Sequence, residues 1–361
     1  MDIIISLLIS LLIFGILVMV HEWGHFYFAR KNGIFVEEFA LGMGPLLLSK
    51  KDKTGTLYSI RLLPIGGYCK MLGEDTENSE EGSYQSKSVF ARMSVIVAGS
   101  FMNFVLSFVF ALILVSVNGF ASLNVSSVIE NTPAYEAGLL PGDRITHINN
   151  RRIFVFADIS FFLSNNGSQP MDISINRNGQ SMTLYNVSPA RTPAGAYLIG
   201  FVSTPRAGLG GHEFIESASI GQILMQSINL TLHYTRIIGQ GLIQLITFNL
   251  PMDDIGGPVR IVGLIGEVYQ ESAQAAAETG SWVVISNMMS IAALLSANLG
   301  LFNLLPFPAL DGGRLVFLTI EAIRGKQINQ EKEGLVHLVG FVLLLGLIAV
   351  VFFNDIASLF R

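Results

Sequence analysis

The stretch Ile3–His25, IIISLLISLLIFGILVMVHEWGH, sets eighteen uncharged residues directly before His21-Glu22-Trp23-Gly24-His25. At about 1.5 Å rise per residue that run covers about 27 Å, nearly the thickness of a bilayer's hydrocarbon core. It predicts a membrane span whose helical pattern continues toward Arg30, with His21 near one membrane face. A cleaved signal peptide does not fit, because the start carries Asp2 without Lys or Arg and the apolar run is too long. His21 and His25, four residues apart, share one helical face, so both imidazoles can reach one zinc ion. Glu22 is then placed to take a proton from an attacking water. Ionisable residues inside an apolar helix are expensive, and persist mainly where they pair, coordinate a metal or line a wet cavity.

A catalytic zinc needs a third protein ligand and an open fourth position. Asp311 is the candidate, in the string Asn303-Leu-Leu-Pro-Phe-Pro-Ala-Leu-Asp311-Gly-Gly-Arg314 that follows an uncharged run, Ser281–Leu305. Pro306 and Pro308 break that helix, and Gly312-Gly313 keep the backbone open beyond it. Two further spans read clearly, Ser94–Gly119 and Leu335–Phe353, the latter interrupted by His337. With spans running inward, outward and inward again, His21 and Asp311 meet on the same leaflet. That parity holds if 220–250 does not cross. There Gln222, Gln226, Asn229, His233, Arg236, Gln240 and Gln244 form one polar stripe, which favours a helix lying in the interface.

Composition agrees. Of 361 residues 51% are hydrophobic and 14% charged, and the mean hydropathy is +0.54. A net charge of −5 offers no footprint for nucleic acid, and nothing points to a nucleotide. The single cysteine, Cys69, excludes an internal disulfide and reads as structural. Residues 121–205 read as a small β-rich domain. Asp172–Asn176 alternates, Asn178-Gly179 signals a type I′ hairpin, and Ser181–Val187 supplies the return strand. Segment 30–92 carries nine Lys and Arg, and the loop 314–332 adds Arg314, Arg324, Lys326 and Lys332. The positive-inside rule puts both in the cytoplasm and the β-rich domain outside. The chain thus divides into 1–120, 121–205, an interfacial region at 206–280, and 281–361. Segment 55–75, with Thr56–Leu62 as its strand-like run and Gly66-Gly67 as a tight bend, reads as an exposed edge strand able to pair with an unwound substrate.

HEWGH closing a first span, with NLLPFPALDGGR closing a later one, resembles the site-2 protease family. The likeness is to its bacterial RseP/RasP type, the regulator-of-sigma intramembrane zinc metalloproteases. Pro64-Ile-Gly-Gly-Tyr68 resembles that family's membrane re-entrant β-hairpin region, and Gly138–Ile145 the core of a PDZ domain. The resemblance implies a multi-pass α-helical membrane protein with four transmembrane helices and one extracytoplasmic PDZ domain, where some relatives have two. It implies zinc ligands His21, His25 and Asp311, with Glu22 as general base. Asn298 and Asn303 are implied to hold substrate backbone or the oxyanion, and Pro306, Pro308, Gly66 and Gly67 complete the expected substrate-binding set. Implied partners are transmembrane protein substrates of the anti-sigma factor type and membrane lipid. The implied location is the bacterial cytoplasmic membrane, with the active site near its inner side. The competing reading is a non-enzymatic transporter or scaffold with a PDZ adaptor, using His and Asp for ion passage.

Overall fold

The structure, a computed structural model, describes residues 2–74, 80–193, 195–209, 217–247 and 256–358. Parts of the expected 206–280 region, at 210–216 and 248–255, lie outside the described residues. The chain opens with α1 (Asp2–Lys31), β1 (Val36–Lys51), β2 (Leu57–Met71) and α2 (Val89–Asn118). Then come β3 (Phe120–Val128), α3 (Pro133–Glu136), β4 (Arg144–Ile148), β5 (Arg151–Arg152), α4 (Phe156–Asn166), β6 (Met171–Arg177) and β7 (Gln180–Val187). Short strands β8 (Ala190–Arg191) and β9 (Tyr197–Leu198) precede β10 (Phe201–Arg206). Five helices follow: α5 (Ile220–Ile246), α6 (Pro258–Thr279), α7 (Trp282–Asn303), α8 (Asp311–Arg324) and α9 (Gln330–Ser358). The chain forms two compact units, Met1–Phe110 with Thr235–Arg361, and Ala111–Tyr234.

Among the described residues four helices are long and apolar enough to cross a membrane: Ile4–Lys31, Val89–Asn118, Trp282–Asn303 and Gln330–Ala357. These are the four runs expected from the sequence. Most of α9 presents large apolar side chains outward, Leu338, Phe341 and Leu345 among them, as a helix facing lipid does. α6 is a difference from expectation. Its region reads as interfacial, yet Ile261 and Ile265 pack with Ile13, Leu17 and Ala292 in the bundle core. Gly266 admits the Ser6 hydroxyl, and Asn287 donates to Ser272 Oγ at 2.8 Å. At the start of α6, Asp355 of α9 accepts from the backbone N–H groups of Gly257, Val259 and Arg260 at 3.0–3.1 Å, capping the helix.

β1 and β2 pair antiparallel, but both bend, so that each supplies two strand segments. Positive φ at Gly42, Gly44 and Gly66 permits the bends. Leu41, Ala40, Phe39 and Glu38 pair with Gly67, Tyr68, Cys69 and Lys70 on one side. On the other they face Ile60, Ser59, Tyr58 and Leu57, partners that rise together along the chain. Leu57–Arg61 in turn meets Lys51–Leu46. The spatial order is therefore Gly67–Met71, Val36–Leu41, Leu57–Leu63, Leu46–Lys51. Segment 55–75 was expected as an exposed edge; its first part, Thr56–Leu62, is the inner strand, covered on both sides, and only its second part, Gly67–Met71, is an edge. The edges among the described residues are Gly67–Met71 and Leu46–Lys51. Sequence alternation marks a strand but is blind to how many neighbours it acquires.

Beneath the sheet, α8 is tied down by ion pairs between Arg92 and Glu321 and between Arg314 and Glu74. Arg92 and Glu321 are both buried, so neither could be lost singly without stranding a charge.

The second unit is a sheet in the order β10-β3-β4-β6-β7, with β5 beside β4. Asn178 and Gly179 both have positive φ, as the type I′ hairpin between β6 and β7 requires. Asp143, within the Gly138–Ile145 loop, is 1% exposed and receives Arg177 Nε and Nη2, both at 2.7 Å, and Leu140 N–H at 2.8 Å. Burial raises this carboxyl, but the hydrogen bonds from Arg177 outweigh it and hold it below the ordinary range. The unit exceeds the expected 121–205 at both ends. Val115 at the close of α2, Ala218 and Ile223 share a cluster with Leu112, Phe120 and Leu230, which draws in the first half of α5. There the polar stripe turns inward: Gln222, Gln226 and Asn229 line a cavity with Arg144 and Arg206, and His233 meets Asp158 Oδ1 at 2.7 Å.

Candidate metal centre

Histidines four apart on α1 leave their imidazoles on the side facing α2, while Trp23 and Tyr27 stand outward. Two glycines make the approach possible. A Cβ at Gly24 would overlap the Ala98 carbonyl, and one at Gly99 would overlap His25 Nε2. Small residues at such crossings let membrane helices come together at backbone distance.

Asp311 arrives from the opposite direction. α7 ends at Asn303, and residues 304–310 fold back through hydrogen bonds from Phe307 N to Leu305 O (2.7 Å) and Leu310 N to Phe307 O (3.1 Å). Gly312 and Gly313 lie against the carbonyls of Leu305 and Phe307, where a Cβ would not fit. Ala309 holds a φ of 78°, costly for a residue with a side chain, and its N–H is donated to His337 Nδ1 at 2.9 Å. Gly340 brings α9 against Pro308. The loop is thereby set so that Asp311, first residue of α8, meets the histidines.

Three ligand atoms converge. His21 Nε2 to Asp311 Oδ2 is 3.2 Å, His25 Nε2 to Asp311 Oδ2 is 3.3 Å, and the two Nε2 atoms are 3.2 Å apart. A tetrahedral zinc with bonds of about 2.0–2.1 Å has edges of about 3.3–3.4 Å, so this triangle fits one face of such a site. Apart from the two imidazole nitrogens, Asp311 Oδ2 is buried without a polar partner, as an atom meant for a cation would be. His25 Nδ1 faces Val95 O at 2.9 Å. A carbonyl can only accept, so Nδ1 carries the proton and Nε2 keeps its lone pair toward the cluster. His21 Nδ1 faces the amide of Asn103 at 3.1 Å.

The triangle opens into a cavity of about 360 Å³ that Glu22 also lines, with Tyr68, Cys69 and Lys70 of the β2 edge on its wall. Gly67 lies over Glu22, where a Cβ would come within 3.5 Å of Glu22 Cγ. Gly66 contributes its positive φ to the bend. Burial pushes the Cys69 thiol up, which makes it a poor nucleophile and agrees with its structural reading. Asn298 and Asn303 are half-buried on α7, and among the described residues neither hydrogen-bonds the cluster. Pro306 and Pro308 shape the reversal rather than lining the cavity. Gly99 and Asn103 went unnoticed in the sequence reading, and His337 was read only as an interruption of the last span. An amide inside an uncharged span, four residues after a glycine, was the available signal for the first two.

If Gly99 sets the imidazole positions, Gly99→Ala displaces them while leaving α2 helical. Zinc content measured on purified protein should fall about tenfold or more, and wild-type retention would show that the helices can part without cost.

Comparison with known proteins gives the same direction. Residues 9–347 match the sequence pattern of peptidase family M50. A protein of Clostridium acetobutylicum named as a zinc metalloprotease is 35% identical over 97% of both chains. Zinc metalloprotease RasP of Oceanobacillus iheyensis is 32% identical, over 97% of this chain and 98% of its own. Regulator of sigma-W protease RasP of Bacillus subtilis is 31% identical, with the same two coverages. With a match running from the first membrane helix into the last, this chain belongs to peptidase family M50, the site-2 proteases.

Proposed function

We propose that the protein is an intramembrane zinc endopeptidase that cuts single-span membrane proteins of the anti-sigma factor type. The observation that carries the reading is the triangle of His21 Nε2, His25 Nε2 and Asp311 Oδ2 in one cavity with Glu22. These three residues would hold zinc, which when bound lowers the pKa of water and polarises a carbonyl. Glu22 takes the proton of the attacking water and returns it to the leaving amine. The names of the Bacillus and Oceanobacillus relatives support the enzyme class, and the sigma-W name supports the substrate class. The ion-passage alternative has no comparable support, since a relay does not need three ligand atoms at tetrahedral spacing.

A transmembrane helix buries its peptide bonds in its own hydrogen bonds, so a substrate must unwind, and its freed groups need partners. Gly67–Met71 is a sheet edge on the cavity wall and can supply them by strand addition. The far end of the same sheet exposes Met43, Leu46, Leu47, Leu48, Leu62 and Leu63, which supports its dipping into lipid. Asn298 and Asn303 stay candidates for holding substrate backbone once it is present. In the second unit β10 is an edge of the sheet, and Phe201 on it packs with Phe156 of α4 at 5.9 Å between ring centroids. That arrangement, an edge strand packed beside a helix, supports the PDZ reading. The outward face of α5, with Ile220, Leu224, Ile228 and Leu232, supports an interfacial helix. The Lys and Arg distribution supports a cytoplasmic membrane location, with the metal centre near the inner face.

Glu22→Gln should lower cleavage of a transmembrane substrate by at least about a hundredfold with zinc content unchanged; zinc loss matching that of His25→Ala would make Glu22 structural. For topology, a Cys69→Ser protein with Ser168→Cys should react with an impermeant thiol reagent in whole cells, and one with Lys326→Cys should not. The reverse labelling overturns the orientation. In the same background, Lys70→Cys should cross-link to a cysteine near the substrate's cut site and Ser49→Cys on the opposite edge should not. Equal yields would move strand addition away from Gly67–Met71.

A further inference from the structure

Asn103 lies in the middle of α2, fully buried, and its amide nitrogen stands 3.1 Å from His21 Nδ1. In that orientation Nδ2 donates to Nδ1, and the ring proton of His21 sits on Nε2. A ligating Nε2 needs a bare lone pair, which moves the proton to Nδ1 and turns that nitrogen into a donor. The facing group must then be an acceptor. Asn103 already holds one, because its Oδ1 is buried and without a hydrogen-bond partner. A half-turn of the amide exchanges the two atoms, so that Nδ1–H donates to Oδ1.

The turned amide needs somewhere to send its N–H groups. Ser100 and Ser107 stand one turn before and one turn after Asn103, on the same face of α2. Both are fully buried, and the hydroxyl of each is without a hydrogen-bond partner. Three orphaned polar atoms on one helix face are rare in a membrane protein, where nothing in the lipid can satisfy them. One rotation pairs Oδ1 with His21, and because neither serine hydroxyl is within hydrogen-bond distance of the amide, Ser100 or Ser107 turns about its own χ1 to accept from Nδ2. The backbone beneath is fixed independently: Ser296 Oγ donates to Asn103 O at 2.7 Å, and Gly300 allows α7 to approach, a Cβ there lying 3.4 Å from Asn103 Cβ.

We infer that Asn103 is the positioning residue for His21, its amide turning as zinc binds so that Oδ1 accepts Nδ1–H and Nδ2 donates to Ser100 or Ser107. The inference rests on the reading of His21 as a zinc ligand. The two histidines then differ in kind. His25 is locked by the Val95 carbonyl in one tautomer, whereas His21 sits beside a reversible group that suits either tautomer. The metal-free ring is thus satisfied without stranding a proton in the bilayer.

The test uses the full-length protein in detergent and follows zinc stoichiometry, the rate of zinc loss to a chelator, and zinc-edge X-ray absorption. Asn103→Leu keeps the shape and removes both polar atoms, and should release zinc about 10–100-fold faster with an altered imidazole signature. Asn103→Asp keeps the acceptor and should hold zinc at close to the wild-type rate. His21→Ala is the control, and should bind none. Wild-type zinc retention in Asn103→Leu, with zinc lost in His21→Ala, overturns the role of Asn103 and leaves the ligand reading standing. Zinc retained in His21→Ala overturns the ligand reading itself. Should Asn103→Leu fail to fold, Asn103→Asp decides alone: if it folds and binds no more zinc than His21→Ala, acceptor positioning is wrong.

Discussion

Two imidazoles and a carboxylate held within 3.3 Å of one another, inside an apolar helix bundle, are the constraint on which the rest of the first unit depends. Uncompensated, such a cluster is costly in lipid. Its assembly asks for a close crossing of α1 and α2, a helix ended short, and a chain reversal that presents Asp311. Gly24 and Gly99 meet the first demand, Pro306 and Pro308 the second, and the Ala309–His337 hydrogen bond with Gly312 and Gly313 the third. The Arg92–Glu321 pair holds the far end of α8 and the Arg314–Glu74 pair its first turn beside Asp311, so the ligand-bearing end has a fixed base.

The sheet stands in a direct relation to that cluster. Glycines that let β1 and β2 bend also turn one edge onto the wall of the Glu22 cavity and carry the opposite, apolar end away from it. One folded segment thereby combines an exposed apolar end with an edge strand on the wall of the Glu22 cavity. Under the proposed function, water for hydrolysis and partners for a substrate strand are both asked of that one wall, within an otherwise dry bundle.

The second unit is held by a different device. Asp143 and Arg177 brace the loop before β4 against β6, and the apolar core lies between the sheet and α4. α5 joins this unit through Ile223, and its amide-bearing face closes over a polar cavity while its aliphatic face is left outward.

Features with a local or periodic cause were legible in the sequence alone. The four apolar runs, the i, i+4 histidines, the end of α7 before Pro306 and the Asn178-Gly179 turn each follow from neighbours along the chain. The pairing of Asp311 with His21 and His25 was reachable through leaflet parity, though its tetrahedral spacing was not. Tertiary structure alone decided which strand of the β1–β2 sheet is an edge, that α6 enters the bundle, and that the α5 stripe faces a sheet. It likewise decided the places of Gly99, Asn103 and His337 beside residues far away in the chain. The physical reason is common to all of these. Periodicity reports how one segment divides between two environments, whereas an edge, a close crossing or a hydrogen bond between helices depends on which other segment supplies the second surface.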